Sequence, residues 1–165
     1  MMLSNISVPL LGMVDTGVTG HLEGAEYLAA VAIGSTIFGF IYAGINFLRM
    51  GTTCITAQRI GAEDNDGLKI ALGQALVVSL AIAAMLIILQ IPIGDLSMRL
   101  LGAKADVADH ANQYFYIRIW SAPATLAIYA LIGWLLGLHN SRVPLYIVLV
   151  INVTNIVLDL FFVLV

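Results

Sequence analysis

Long stretches of the chain carry no charged side chain. The windows 27–48, 70–94 and 119–141 contain no Asp, Glu, Lys or Arg. Each is long enough to cross about 30 Å of hydrocarbon as a helix that rises about 1.5 Å per residue. Two further apolar stretches, 1–22 and 143–165, are each interrupted by one aspartate. The pattern therefore predicts five transmembrane helices, at roughly 1–20, 27–48, 69–91, 114–138 and 143–165.

The segments between these predicted helices are polar and contain turn residues. We expect connections at 21–26, 49–68, 92–113 and 139–142. Within the third connection, Asp95 is a candidate cap for a short helix that ends at Gly102. Pro144 fits the first turn of the last helix. Gly133 and Gly137 form a pair of small residues four apart, which predicts close packing of the fourth span against another helix.

The positive side chains favour one orientation in the membrane. On one predicted side lie Arg49, Arg59, Lys69 and Arg142. On the other lie Arg99 and Lys104, with Arg118 at the edge of the fourth span. Because positive residues accumulate on the cytoplasmic side, the first group and the N-terminus are expected in the cytoplasm.

Composition narrows the class of protein further. Hydrophobic residues make up 61% of the 165 positions and charged residues only 10%, whereas soluble domains carry about 25% charged residues. These values exclude an ordinary soluble enzyme and a disordered chain. A net charge of −3 offers no basic surface for nucleic acid. The single cysteine, Cys54, excludes a disulfide framework and a cysteine-based zinc site.

Two acids lie inside otherwise apolar spans. Asp15 interrupts the first span and Asp159 the last. A charge there costs a few kcal/mol, so such residues usually face a bundle interior, where they relay protons or bind cations. Thr19 shares a helix face with Asp15, and Asn152 and Asn155 share one with Asp159. If the two spans pack together, these groups predict a hydrated pocket that holds H⁺ or Na⁺.

A structural interpretation of the same residues stays open. Asp159 could be a hydrogen-bond partner for Asn155 alone, and Asn152 could join two helices, as polar residues do in membranes. Pro9 is expected to kink the first span, as a hinge or as a static bend.

The two terminal helices have no polar flanks. A helix that ends in hydrocarbon leaves its last carbonyl groups without partners. We therefore expect the sequence to be a fragment of a longer membrane protein.

Four stretches carry a resemblance to a known family. They are SNISVPLLGMVDTGVTGHL (4–22), FLRMGTTCITAQRIGA (47–62), IRIWSAPATLAIYALIGWLLG (117–137) and NVTNIVLDLFFV (152–163). In these stretches the chain resembles the multidrug and toxic compound extrusion (MATE) transporters, and within them the DinF (DNA-damage-inducible F) branch. The resemblance implies an all-α membrane protein with two six-helix lobes, of which residues 1–165 match the first five spans of the N-terminal lobe. The sixth span and the C-terminal lobe lie outside the sequence.

The resemblance also implies the position of the site. The cation site of the family's N-terminal lobe falls on Asp15, Asn155 and Asp159. The family's N-terminus is cytoplasmic, and the bacterial inner membrane is the expected location. The chain departs from the family at Ile128, where relatives in this branch often have Asn. It also lacks the Leu-Pro pair that usually stands upstream of Met1.

The resulting hypothesis is an H⁺- or Na⁺-coupled antiporter that exports organic, often cationic and amphipathic, compounds by alternating access. It would work in the lipid bilayer with the remaining half of the transporter, and we expect no cofactor, no metal other than Na⁺ and no nucleic-acid partner. No nucleophile–base or metal-ligand motif predicts an enzyme. The alternatives are a flippase for lipid-linked precursors and a non-transporting membrane subunit. An anionic lipid-linked cargo needs cationic residues in the cavity, and none lies deep in the predicted spans, Arg118 being nearest.

Overall fold

Seven α-helices and a 3₁₀ turn form the described part of the chain. The computed structural model describes residues 25–101, 105–140 and 142–164, so the first predicted span, 1–20, lies outside the described residues. The helices are α1 (Ala25–Ile45), α2 (Phe47–Gly61), α3 (Asn65–Ile88), α4 (Gln90–Leu101), α5 (Ala105–Arg118), α6 (Ala122–Gly137) and α7 (Arg142–Leu164), with the 3₁₀ turn at Ile119–Ser121 between α5 and α6.

Several of these helices join end to end into rods of membrane length. Helices α1 and α2 form the apolar stretch Ala29–Gly61, α3 forms Asn65–Ile88, and α5, the 3₁₀ turn and α6 form Val107–Gly137. By length and composition these three rods can cross a membrane. Helix α7 contributes a shorter apolar stretch, Arg142–Thr154. The predicted all-α membrane fold is confirmed.

The interpretation of 49–68 as a connection is wrong over most of its length. Helix α2 continues to Gly61, and only residues 62–64 separate it from α3. The polar residues of this segment do not break the helix because threonine hydroxyls bond within it. Thr52 donates to the Leu48 carbonyl oxygen at 2.7 Å and Thr56 to that of Thr52 at 2.8 Å. Both threonines are buried.

The third predicted connection also contains more helix than expected. Helix α4 begins at Gln90 and runs past Asp95, which therefore does not cap it, while Gly102 lies outside the described residues. Pro92 explains the break between α3 and α4, since proline fits the first turn of a helix and cannot donate to the preceding one. Helix α5 begins at Ala105, so the fourth span starts earlier than residue 114.

The second and fourth spans lie side by side and run in the same direction, α1 along α5 and α2 along α6. Glycine makes the second contact close. A Cβ atom added at Gly133 would lie 2.6 Å from the Arg49 carbonyl oxygen, and one at Gly137 would lie 2.5 Å from Thr56 Cβ. The close packing predicted for this glycine pair is confirmed. Helix α3 packs on both α2 and α6.

Apolar residues fill the contact between α1 and α5 and also cover the outside. The rings of Phe38 and Phe115 stack with centroids 5.3 Å apart, next to the buried Ile119. On the outside, large apolar side chains such as Phe40 and Ile88 are 73% and 77% exposed. Such a surface suits hydrocarbon and not water.

Candidate functional site

The residues predicted to form the cation site fall mainly where the structure gives no side-chain detail. Asp15, Thr19 and Pro9 lie outside the described residues. Asn155 and Asp159 lie on α7, which is helical through both positions, but the placement of their side chains is outside the described part. Whether Asp15 meets Asp159 therefore stays a prediction.

Asn152 is the one predicted site residue whose side chain is described. It is half-buried on α7. Its amide nitrogen Nδ2 is buried and has no hydrogen-bond partner among the described residues. A buried donor without a partner costs about 1–3 kcal/mol. Because spacings of three and four residues share a helix face, Asn152 lies on the same face as Asn155 and Asp159.

The residues between α6 and α7 determine where α7 begins, and α7 carries Asn152, Asn155 and Asp159. His139 has a φ angle of 58°, a left-handed conformation that ends α6. Asn140 then accepts a hydrogen bond on its side-chain oxygen from the backbone N–H of Val143, at 3.3 Å. The Asn140 side chain thus satisfies a backbone donor in the first turn of α7. As predicted, a short connection separates the end of α6 at Gly137 from the start of α7 at Arg142.

A second polar site lies between the second and fourth spans, at a cavity of about 470 Å³. It lies where both spans depart from regular helix. The second span breaks at Asn46, between α1 and α2, and the fourth passes through the 3₁₀ turn after Arg118. The lining residues are Ser35, Phe38, Gly39, Tyr42, Ala43, Asn46, Arg49, Arg118 and Tyr129. We call this space the arginine cavity.

Arg118 is held in the arginine cavity by aromatic rings. Its guanidinium carbon lies 5.2 Å from the ring centre of Phe38 and 5.5 Å from that of Tyr114. A guanidinium over a ring face is attracted to the ring's negative electrostatic face. Nη1 of Arg118 also donates to the Tyr114 hydroxyl and, at 3.5 Å, to Ser35 Oγ. These contacts restrict the orientation of the guanidinium.

Arg49 is half-buried and enters the cavity from α2. Among the described residues, its guanidinium has no hydrogen-bond or ion-pair partner. Tyr42 and Tyr129 lie near it with ring centres 6.2 Å apart, and the buried Tyr42 hydroxyl also lacks a described partner. No acidic residue belongs to the described lining. The cavity therefore has two cationic groups and no described carboxylate to neutralise them.

The sequence pattern missed this site because it misplaced both arginines. Arg49 was assigned to a connection and Arg118 to the edge of a span, but the structure places them inside the rods Ala29–Gly61 and Val107–Gly137. The rods continue past both arginines in each direction, and the depth of either arginine in a bilayer stays a prediction. One available signal was the spacing of Tyr114 and Arg118, which puts a ring and a guanidinium on one helix face.

Known proteins match the chain in both sequence and fold. The sequence model of the MatE family matches residues 1–161. DNA damage-inducible protein F of Escherichia coli (strain K12) is 44% identical to the chain over 99% of the chain's length, which corresponds to 36% of that protein. The probable multidrug resistance protein NorM of Halalkalibacterium halodurans is 30% identical over 94% of the chain and 34% of that protein.

Two solved structures superpose on the chain. One is a MATE protein in complex with MaD3S, and the other is a MOP superfamily transporter from Pyrococcus furiosus. Each has a TM-score of 0.87 and 28% sequence identity, and the match covers 98% of this chain and 36% of the solved one. The chain thus spans about a third of the length of the relatives it matches.

Proposed function

The chain belongs to the MATE family of multidrug and toxic compound efflux transporters, and we propose that it forms most of the N-terminal lobe of a two-lobe antiporter. In this proposal a sixth span and a second lobe complete the transporter, since alternating access requires one lobe to move against another. Superposition on about a third of each solved transporter supports this assignment. Reading the coding sequence beyond Val165 tests it directly: a further span followed by a second set of six is expected.

We propose that the antiporter couples export of organic, mainly cationic, compounds to the entry of H⁺ or Na⁺. The observation that carries this proposal is the polar face of α7, where Asn152 has a buried amide without a described partner. Asp159 and Asn155 follow on the same face, and Asp15 on the first span completes the site. An acid shielded in a helix bundle can take up a cation and release it when the site opens to water.

Transport by the full-length protein in proteoliposomes tests the coupling. Asp15→Asn and Asp159→Asn keep the size of the side chain and remove its charge. Both are expected to abolish gradient-driven efflux of a cationic dye while the protein still inserts and purifies normally. Separate experiments with only a pH gradient and only a Na⁺ gradient identify the coupling ion.

Asp66→Asn is the matched control, because the Asp66 side chain is 87% exposed and, among the described residues, pairs with Lys69 at 3.3 Å. It should transport as the unmodified protein does. Undiminished efflux by Asp15→Asn would refute the proposed site. Failure of both variants to insert, with Asp66→Asn intact, would instead favour a role of these acids in assembly.

We also propose that the chain lies in the bacterial inner membrane with its N-terminus in the cytoplasm. With Arg49 and Arg118 now inside spans, Arg59, Lys69 and Arg142 remain on one side against Arg99 and Lys104 on the other. The positive-inside rule still favours the same orientation. Labelling of single cysteines by a membrane-impermeant reagent, after Cys54 is replaced by Ser, tests it: a cysteine at Glu63 should be protected in intact cells.

A further inference from the structure

The arginine cavity contains two positive charges, on Arg49 and Arg118, that no described carboxylate in its lining neutralises. Both arginines lie within the helical rods and line the cavity, Arg49 half-buried and Arg118 exposed. Cationic side chains inside spans cost several kcal/mol unless they find partners or water. The described protein supplies no carboxylate to either one. A partner from outside the chain would remove this cost.

Arg118 has the features of a preorganised anion-binding group. A guanidinium carries five N–H donors in a fixed plane, which matches the oxygens of carboxylate and phosphate groups. Only Nη1 donates to described groups, the Tyr114 hydroxyl and Ser35 Oγ, so other donors remain for a ligand. Because Phe38 and Tyr114 already restrict the orientation of the guanidinium, less conformational entropy is lost when an anion binds.

Aromatic rings form part of the cavity wall. Helix α1 lines it from Ser35 to Ala43, and Asn46 follows at the break between α1 and α2. The half-buried rings of Tyr42 and Tyr129 belong to the lining, whereas Phe38 is already buried. The buried hydroxyl of Tyr42 has no described partner and adds a hydrogen-bonding group within the apolar wall. A small inorganic anion would leave the half-buried rings of Tyr42 and Tyr129 uncovered on the cavity side, whereas an amphipathic molecule would cover them.

We propose that the arginine cavity binds the acidic head group of an amphipathic molecule. The carboxylate or phosphate is bound by Arg118 and attracted by Arg49, and the apolar part lies against Tyr42 and Tyr129. Two sources share this chemistry, a phospholipid of the surrounding bilayer and an amphipathic acid that enters as cargo. The inference does not rest on cation coupling at Asp15 and Asp159, because it concerns binding by described residues alone.

Binding to the purified full-length protein in phosphatidylcholine nanodiscs tests the proposal, with empty nanodiscs as the calorimetric blank. The probes are dihexanoyl phosphatidic acid, dodecanoate, dodecyltrimethylammonium and inorganic phosphate. Saturable binding of phosphatidic acid is expected, and dodecyltrimethylammonium should show none. If dodecanoate also saturates, the site accepts amphipathic acids in general. If only phosphatidic acid does, its natural ligand is a bilayer phospholipid.

Variants identify the residues responsible. Arg118→Gln and Arg49→Gln should each weaken binding by about tenfold or more, since each removes a charged partner of the anion. Arg118→Lys keeps the charge and should recover part of the affinity. Arg99→Gln is the control, because Arg99 is exposed on α4 outside the cavity, and it should stay within about twofold.

Each variant is compared with the unmodified chain by circular dichroism, and Arg118→Lys keeps the test valid if Arg118→Gln misfolds. Unchanged affinity in Arg49→Gln and in the folded Arg118 variants would overturn the proposal. So would equal binding of dodecyltrimethylammonium. Inorganic phosphate that binds as tightly as dihexanoyl phosphatidic acid would contradict the role of the aromatic wall.

Discussion

Thr53 on α2 donates a hydrogen bond from its hydroxyl to the carbonyl oxygen of Gly133 on α6, at 2.9 Å. The same hydroxyl lies 2.9 Å from the Arg49 carbonyl oxygen in its own helix. Two transmembrane backbones come this close only where a side chain is missing, and Gly133 supplies that gap. This contact holds the second span against the fourth, next to the arginine cavity that both spans line.

Gly133→Ala should therefore destabilise the chain. The new methyl group would lie 2.6 Å from the Arg49 carbonyl oxygen and 3.0 Å from Thr52 Cβ, so α2 and α6 must separate. Overpacking of this kind costs about 1–3 kcal/mol. Thermal unfolding in detergent, followed by circular dichroism, measures the loss. Gly73→Ala is the control, because nothing lies within 4 Å of a Cβ atom there; equal effects of both changes would contradict the packing argument.

Trp134→Phe tests the link between α6 and the start of α3. The indole Nε1–H donates to the Leu68 carbonyl oxygen at 3.0 Å. Phenylalanine keeps an aromatic ring but not the donor, so we expect a loss of about 1 kcal/mol of unfolding free energy. Trp120→Phe makes the same change on a side chain that is 66% exposed. It should leave unfolding unchanged, and a larger loss there than at Trp134 would oppose the prediction.

Asp64 begins α3 in two ways that can be separated by mutation. Its Oδ1 accepts from the Gly67 backbone N–H at 2.8 Å, and its Oδ2 pairs with Arg59 Nη1 at 2.8 Å. Asp64→Ala removes both and should cost about 1 kcal/mol, typical of a lost N-cap. Asp64→Asn keeps a capping oxygen and loses only a partly exposed ion pair, which is worth less than about 1 kcal/mol. Hydrogen exchange at the first turn of α3 should increase in Asp64→Ala and much less in Asp64→Asn.

Asn152→Leu distinguishes a binding role from a structural one. The Nδ2 donor is buried without a described partner, and an apolar side chain of similar size removes that unmet donor. We expect the unfolding free energy to stay the same or rise, since replacing an unpaired polar group is nearly neutral or stabilising. Thermal unfolding of the chain is the measurement. A loss above about 1 kcal/mol would show that Asn152 joins helices, as in the structural alternative.

The distribution of charge was sufficient to predict the apolar parts of three spans. Windows without charged residues predicted the spans that contain α1, α3 and α6, because a backbone in lipid must satisfy its own hydrogen bonds and a helix does so locally. The start of α7 was equally predictable, because Pro144 fits the first turn of a helix. Family membership also followed from sequence, and the comparisons confirm it.

The ends of the helices in the polar segments were not predictable in the same way. The stretch 49–61 looks like a connection by composition, yet it is helical because Thr52 and Thr56 bond to carbonyl oxygens of their own helix and pack against glycines of α6. Whether such hydroxyls face a partner helix or water depends on a contact with a segment far away in the chain. Local propensity does not carry that information.

The chain by itself therefore determined an all-α membrane protein, the order of its spans and the candidate acids Asp15 and Asp159. Only the tertiary structure decided that Arg49 and Arg118 share one cavity. Spans that are apolar on every face have no polar stripe to show which side packs against which neighbour. Which spans pack together depends on close contacts such as that of Gly133 with α2. These contacts bring Arg49 and Arg118, which are distant in the sequence, to one cavity.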